Sequence, residues 1–228
     1  MYEDLKFWYL RDHKLFRTLS SSQLKQLCII VGFKKAKRGE IIFFEDADTP
    51  RIFLLKRGKI KIVSPNEAGD EITKEILQAG DIFGEMALEP NEKNDEIAIA
   101  LTADVTLCSF LLSDFEELMT KHPELALSYI KFVGLRMRRV KNNYSNLIAK
   151  DVRSRLKIFF MEWIEKEGKK ENEVILLDNY LTQSDIAQII CTSRQSVATL
   201  FTELESKGIL EYTRKQIKVL DILKLEQF

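Results

Sequence analysis

The chain has 228 residues, 45% of them apolar and 31% charged, with 35 basic and 35 acidic side chains. That is ordinary globular composition with room for about two domains, and a formal net charge of zero says nothing for or against nucleic acid. No apolar run approaches the ~18 residues of a membrane helix, and MYEDLKFWYL has neither a basic start nor a small-residue cleavage site, so a cytoplasmic protein with no membrane partner is expected.

Charge is uneven along the chain. Residues 1–120 carry 16 basic and 21 acidic groups, 121–150 carry seven and one, and 151–228 carry 12 and 13. Cys28, Cys108 and Cys191 are odd in number, far apart and set among apolar neighbours, which predicts reduced, buried thiols. Residues up to 32 look helical, with Ser20 to Ser22 as N-caps before Leu24, Leu27, Cys28 and Val31 at helical spacing. From Phe33 the period changes to two. Short β-branched and aromatic runs broken at Gly39, Asp48 to Pro50, Gly58, Pro65 to Gly69 and Gly80 predict an all-β sandwich or roll. Strands resume with IAIAL and TLCSFLL, and Ser113-x-x-Glu116 predicts a capping box that starts the next helix.

The stretch from His122 to Asp151 keeps a heptad register: Ile130, Val133, Met137, Val140, Tyr144 and Leu147 are spaced three, four, three, four, three. Pro123 suits a first helical turn. This narrow stripe predicts a long helix paired with its copy in a homodimer, its other face basic and solvated. Asp151 then caps a second helix with Val152, Leu156, Phe159, Phe160 and Trp163 on one side. Gly168 to Glu173 reads as a charged turn, followed by the extended VILLDNY. In LTQSDIAQIICTSRQSVATLFTELESKGIL, Thr182 and Asp185 cap one helix with Ile186, Ala187 and Ile190 inward. Ser193 caps another with Val197, Phe201 and Leu204 inward, and Gly208 ends it, which is a helix-turn-helix. A two-strand pattern around Thr213 to Gln216 follows.

This order of helix, Gly-punctuated roll, GDIFGEMAL, long helix and helix-turn-helix resembles the family of the cyclic-AMP receptor protein and the fumarate-nitrate regulator. The resemblance implies an α+β chain of three parts. Residues 1–120 form a double-stranded β-helix, a cyclic-nucleotide-binding-like β-roll; 121–150 form the dimerisation helix and hinge; 151–228 form a winged helix-turn-helix. It also implies a dimeric regulator of transcription, not an enzyme, that binds a palindromic operator in double-stranded DNA and works with RNA polymerase.

In that family Gly84 and Glu85 would open the cassette that holds a cyclic nucleotide, and an Arg followed by Ser or Thr would clamp its phosphate. The matching positions here are Asp95 and Glu96, carboxylates that repel an anion, and no Arg lies between Arg57 and Arg136. A degenerate cassette for an unidentified small effector is expected, and no cofactor. An iron-sulfur sensor needs about four cysteines, mostly near the N-terminus, where only Cys28 lies. Haem needs an axial ligand, and of the only histidines, His13 and His122, the latter reads as a surface or capping residue beside Pro123.

On the DNA side the resemblance gives base contacts to Arg194, Gln195 and Thr199 and phosphate contacts to Thr182, Ser193, Ser196 and Lys215. Two features depart from easy expectation: the part from 151 to 228 is slightly acidic, and Cys191 stands where the best-known family member has a turn Gly. The alternative is a regulatory subunit whose roll controls a partner protein without touching DNA.

Overall fold

The period-2 segments form two four-stranded antiparallel sheets. In the computed structural model, which describes residues 7, 8, 10–30, 32–42, 50–67, 70–84 and 96–228, the chain divides into two compact units, Met1–Arg138 and Arg139–Phe228. The first unit contains β1 (Gly32–Ala36), β2 (Ile41–Ile42), β3 (Arg51–Arg57), β4 (Lys59–Pro65), β5 (Glu71–Gln78), β6 (Ile82–Gly84), β7 (Ile97–Ala100) and β8 (Val105–Leu111). One sheet has the order β1-β8-β3-β6 and the other β2-β7-β4-β5. Phe53, Leu55, Val105 and Leu107 of the first meet Ile60, Ile62, Leu77, Ala98 and Ala100 of the second in one dry cluster.

The alternate residues of the same strands face the other way. Ile52, Leu54, Cys108 and Phe110 join a second cluster with Leu10, Leu15, Phe16, Leu24, Leu27, Phe115 and Leu125. Strands β3 and β8 are therefore apolar on both faces because helices cover one side and a sheet the other. Gly58 makes the β3–β4 turn at φ +83°, and a Cβ there would press on Thr102 and Val105, so both conformation and space demand glycine.

Helix α1 (Ser21–Ile30) starts at Ser20, whose hydroxyl accepts from Gln23 N–H at 3.4 Å while Gln23 Oε1 accepts from Ser20 N–H at 2.6 Å. Leu24 and Leu27 are buried; the Cys28 side chain and Val31 lie outside the described residues. Helix α2 (Leu112–Lys121) follows β8 with no intervening loop. The predicted Ser113 capping box does not form. Leu111 occupies the cap position without a side-chain bond, and Leu112 N–H donates to Pro50 O at 2.8 Å. The helix begins two residues early, with its cap at Leu111 instead of Ser113, which places Ser113 inside the first turn, where it cannot cap. Helix α3 (Pro123–Ala149) carries its Pro at the first position as expected.

The second unit holds α4 (Val152–Glu167), β9 (Lys169–Glu171), β10 (Val174–Asp178), α5 (Gln183–Ile189), α6 (Arg194–Ser206), β11 (Leu210–Tyr212), β12 (Gln216–Val219) and α7 (Ile222–Gln227). Asp151 caps α4 by accepting from Ser154 N–H at 2.8 Å. Leu156, Phe160 and Trp163 point into a core shared with Leu177, Ile186, Val197, Phe201, Leu204 and Ile217, and the rings of Phe160 and Phe201 lie 5.6 Å apart. The expected charged turn at 168–173 contains a strand. Lys169–Glu171 pairs with β10 and gives a four-stranded sheet of order β11-β12-β10-β9, turned at Asn172 with φ 55°. All three residues of β9 are exposed, so an edge strand of this kind leaves no hydrophobic alternation to detect.

Candidate nucleic-acid interface and effector cavity

The two helices α5 and α6 are set by their caps. Thr182 Oγ1 accepts from Asp185 N–H at 3.1 Å and donates to Asp185 Oδ2 at 2.7 Å, while Thr182 N–H donates to the same carboxylate at 2.9 Å. Ser193 Oγ accepts from Ser196 N–H at 3.0 Å and lies 2.9 Å from Ser196 Oγ. Between them the chain reverses through Cys191 at φ 53°. Thr192 N–H reaches Ala187 O at 2.8 Å and Cys191 N–H reaches Gln188 O at 3.1 Å, the paired bonds of a Schellman end. Cys191 thus occupies the left-handed position that glycine favours. It is also exposed, contrary to the expected buried thiol, because a residue at the tip of this reversal has no core side to face; Cys108 is buried as expected.

Arg194, Gln195 and Thr199 are exposed on the first turns of α6. The side chains of Arg194 and Gln195 form no hydrogen bond or ion pair among the described residues, whereas Thr199 Oγ1 donates to Gln195 O at 3.0 Å, which leaves its methyl and a lone pair for a partner. Thr182, Ser193 and Lys215 are exposed and Ser196 is half-buried. The Thr182 proton is engaged by Asp185, so the donors at that helix start are the first-turn N–H groups.

Two arginines that the local pattern did not reveal hold this arrangement. Arg155 donates to Ile190 O at 2.8 Å, to Cys191 O at 3.2 Å and to Lys150 O at 2.6 Å, so one guanidinium caps the carbonyl ends of both α5 and α3. Arg153 forms a bidentate pair with Glu203 at 2.8 and 2.7 Å and stacks over the Phe228 ring at 4.3 Å, tying α4 to α6. Arg153 and Lys207 beside Glu203 depress its carboxyl to about 2.

On α3 every predicted seam residue is exposed in the single chain: Ile130, Val133, Met137, Val140, Tyr144 and Leu147 lie between 40% and 65% accessible, and Leu127, Leu135 and Ile148 add to the apolar surface. The basic residues off this stripe are not all solvated. Arg136 is half-buried, donates to Ile82 O at 2.8 Å and pairs with Glu75. It enters a cavity of about 150 Å³ lined by Ile62, Lys74, Glu75, Phe83, Gly84, Glu96 and Arg136. Of the predicted cassette, Gly84 and Glu96 stand at this cavity, and Glu85 and Asp95 lie outside the described residues. Gly84 has φ +112°, and a Cβ there would collide with Arg51 O, so backbone packing alone demands this glycine.

His122 is not a free surface group: its Nδ1 lies 2.9 Å from Gln23 Nε2 and joins the α2–α3 corner to α1. His13 is buried, accepts from Leu15 N–H through Nδ1 at 3.2 Å and donates from Nε2 to Gly80 O at 2.9 Å. Burial lowers its pKa to about 4. Among the described residues no three His, Cys, Asp or Glu side chains gather as a metal site, and no helix is long and apolar enough to cross a membrane.

A β-roll with a cavity, a long helix with an unpartnered apolar stripe and a capped helix-turn-helix beside a small sheet together define a DNA-binding transcription regulator. Residues 33–122 match the cyclic nucleotide-binding domain model and residues 154–228 the Crp-like helix-turn-helix domain model, and the chain belongs to the CRP/FNR family. It is 28% identical to the global nitrogen regulator of Synechocystis sp. over 215 residues, 93% of each chain. Identity is 25% with the CRP-like cAMP-activated global transcriptional regulator of Mycobacterium tuberculosis over 188 residues, 82% of this chain and 84% of that one. A CooA mutant from Carboxydothermus hydrogenoformans has the same fold, with a TM-score of 0.71 at 24% identity, covering 96% of this chain and 97% of that one.

Proposed function

We propose that the protein is a homodimer joined along α3 that reads a palindromic operator with α6, acts where the chromosome lies, in the cytoplasm, and meets RNA polymerase at promoters. The observation that carries the DNA role is the pair Arg194–Gln195, unengaged and exposed on the first turn of a helix whose other face is buried. Arg194 has the fork to pair with guanine O6 and N7, and Gln195 the amide to pair with adenine N6 and N7. Thr199 offers its methyl to a thymine. Ser193, Ser196, the helix start at Thr182 and Lys215 hold phosphates.

The roll supplies control. Arg136 already binds Glu75 and Ile82 O, so an anionic ligand in the cavity must displace an ion pair and approach Glu96 as well. Cyclic nucleotides are poor candidates for such a site. An effector acts only through unequal affinity for two states of the dimer, and the hinge at Lys150–Asp151 is the joint at which those states differ. The test is a gel shift of genomic fragments with wild type and Arg194→Ala. Selective retardation by wild type, lost in the variant, supports DNA reading by α6; retardation of no fragment would favour a subunit that controls a partner protein instead.

A further inference from the structure

The turn between β11 and β12 is not one that its own residues specify. Thr213, Arg214 and Lys215 lie between the strands, and Thr213 N–H donates to Gln216 O at 2.9 Å, which closes a two-residue loop of Arg214 and Lys215. Two-residue hairpin loops favour turns with positive φ at one or both central residues, yet among the described residues only Asn172 and Cys191 combine a side chain with positive φ. A loop with negative φ tends to splay its strands, so something must hold it. Thr213 Oγ1 contributes from within, donating to Gln216 O at 2.8 Å and accepting from Gln216 N–H at 3.0 Å.

The remaining hold comes from Asn179, 34 residues earlier. It is 6% exposed. Its Nδ2 donates to Thr213 O at 2.8 Å, its backbone N–H donates to Lys215 O at 2.9 Å, and its Oδ1 accepts from Leu181 N–H at 3.2 Å. Leu181 directly precedes Thr182, the cap of α5. One buried amide therefore joins the loop to the start of the helix-turn-helix. The carbonyls of Thr213 and Lys215, on either side of Arg214, are spent on Asn179, while the side chains of Arg214 and Lys215 are exposed and bond to no described residue.

We propose that Asn179 is a positioning residue for DNA binding, and that the unit it positions is the adjacent pair Arg214 and Lys215, each contacting a phosphate beside the half-site. Two unpaired cations on a fixed loop neutralise phosphates without ordering a mobile segment first. This rests on the DNA-binding function proposed above and adds Arg214 and Asn179 to it.

The experiment is a salt titration of full-length protein on the operator that wild type selects, with wild type, Arg214→Ala, Arg214→Ala/Lys215→Ala, Asn179→Ala and the triple variant, fold checked by circular dichroism. Two contacts in each of two subunits, at ~0.9 ions each, give the double variant a log–log salt slope shallower by roughly 4. Asn179→Ala is expected to lose most of that slope alone, and the triple variant to bind within about threefold of the double, because misplacing absent side chains costs nothing further. Asn179→Asp, which keeps the acceptor for Leu181 but turns an oxygen toward Thr213 O, is expected to behave like Asn179→Ala and serves if the alanine variant does not fold. An unchanged slope in folded Asn179 variants, a triple variant tenfold or more weaker than the double, or an unchanged slope in Arg214→Ala alone would overturn the proposal. Absence of any salt-dependent binding by wild type would instead strike the DNA-binding function itself.

Discussion

Replacing Val133 and Val140 of α3 together by Glu tests the seam where its energy is concentrated. The six seam side chains are between 40% and 65% exposed in the single chain, so pairing can bury about half of each. At about 2 kcal/mol for complete burial of such a side chain, this is roughly 1 kcal/mol apiece and about 12 kcal/mol over the twelve in a dimer, set against an association cost of about 4–15 kcal/mol. The double substitution removes four valines, roughly 4 kcal/mol, and places four carboxylates in a desolvated strip at a further cost of several kcal/mol. The first term alone weakens the dimer by about three decades. Sedimentation velocity at micromolar concentration should show monomers, while Lys131→Glu, an exposed site off the seam, stays dimeric. A Val133→Glu/Val140→Glu protein that remains dimeric would refute the seam.

Three further expectations follow from single sites. Cyclic AMP and cyclic GMP at millimolar concentration should give no saturable heat in calorimetry; a dissociation constant below about 100 μM, more than ~5.5 kcal/mol, would show that the cavity holds a cyclic phosphate after all. Arg194→Ala should cost about 1–3 kcal/mol on the preferred site and relax preference mainly at one base pair per half-site, whereas Lys215→Ala should weaken matched and scrambled DNA alike; equal weakening by Arg194→Ala would make that Arg an anchor only. His13, at about 4 in the fold against an ordinary 6.5, leaves the unfolded chain to take up a proton first as pH falls. Stability present above pH 6.5 is therefore lost progressively down to about pH 4, by about 3 kcal/mol. Urea unfolding at pH 7 and 4.5 should show that loss in wild type and lack it in His13→Asn.

What could be read from the sequence was whatever a local period or cap encodes. The α3 heptad, the Thr182–Asp185 box, the Ser193 cap and Gly208, which ends α6 at φ 64°, each leave a signature within four residues. Features made by long side chains or distant backbone left none. Arg155 and Arg153 reach partners 35 and 50 residues away, Asn179 one 34 away, and Arg136 crosses 54 residues to Ile82. That last bond is why a basic face expected to be solvated is partly spent on the roll. Ser113 misled because its spacing to Glu116 was right but β8 runs on into the helix, and β9 was missed because three exposed charged residues carry no alternation.

Selection of bound duplexes from a random pool by the wild-type protein tests most directly whether the protein is a two-fold symmetric DNA reader built on α3 and α6. The enriched sequences should contain an inverted repeat with half-site centres about 10 base pairs apart, since paired copies of α6 present identical readers one helical turn apart on the same face of the duplex. Enrichment of a single unrepeated motif, or of none above the starting pool, would contradict it.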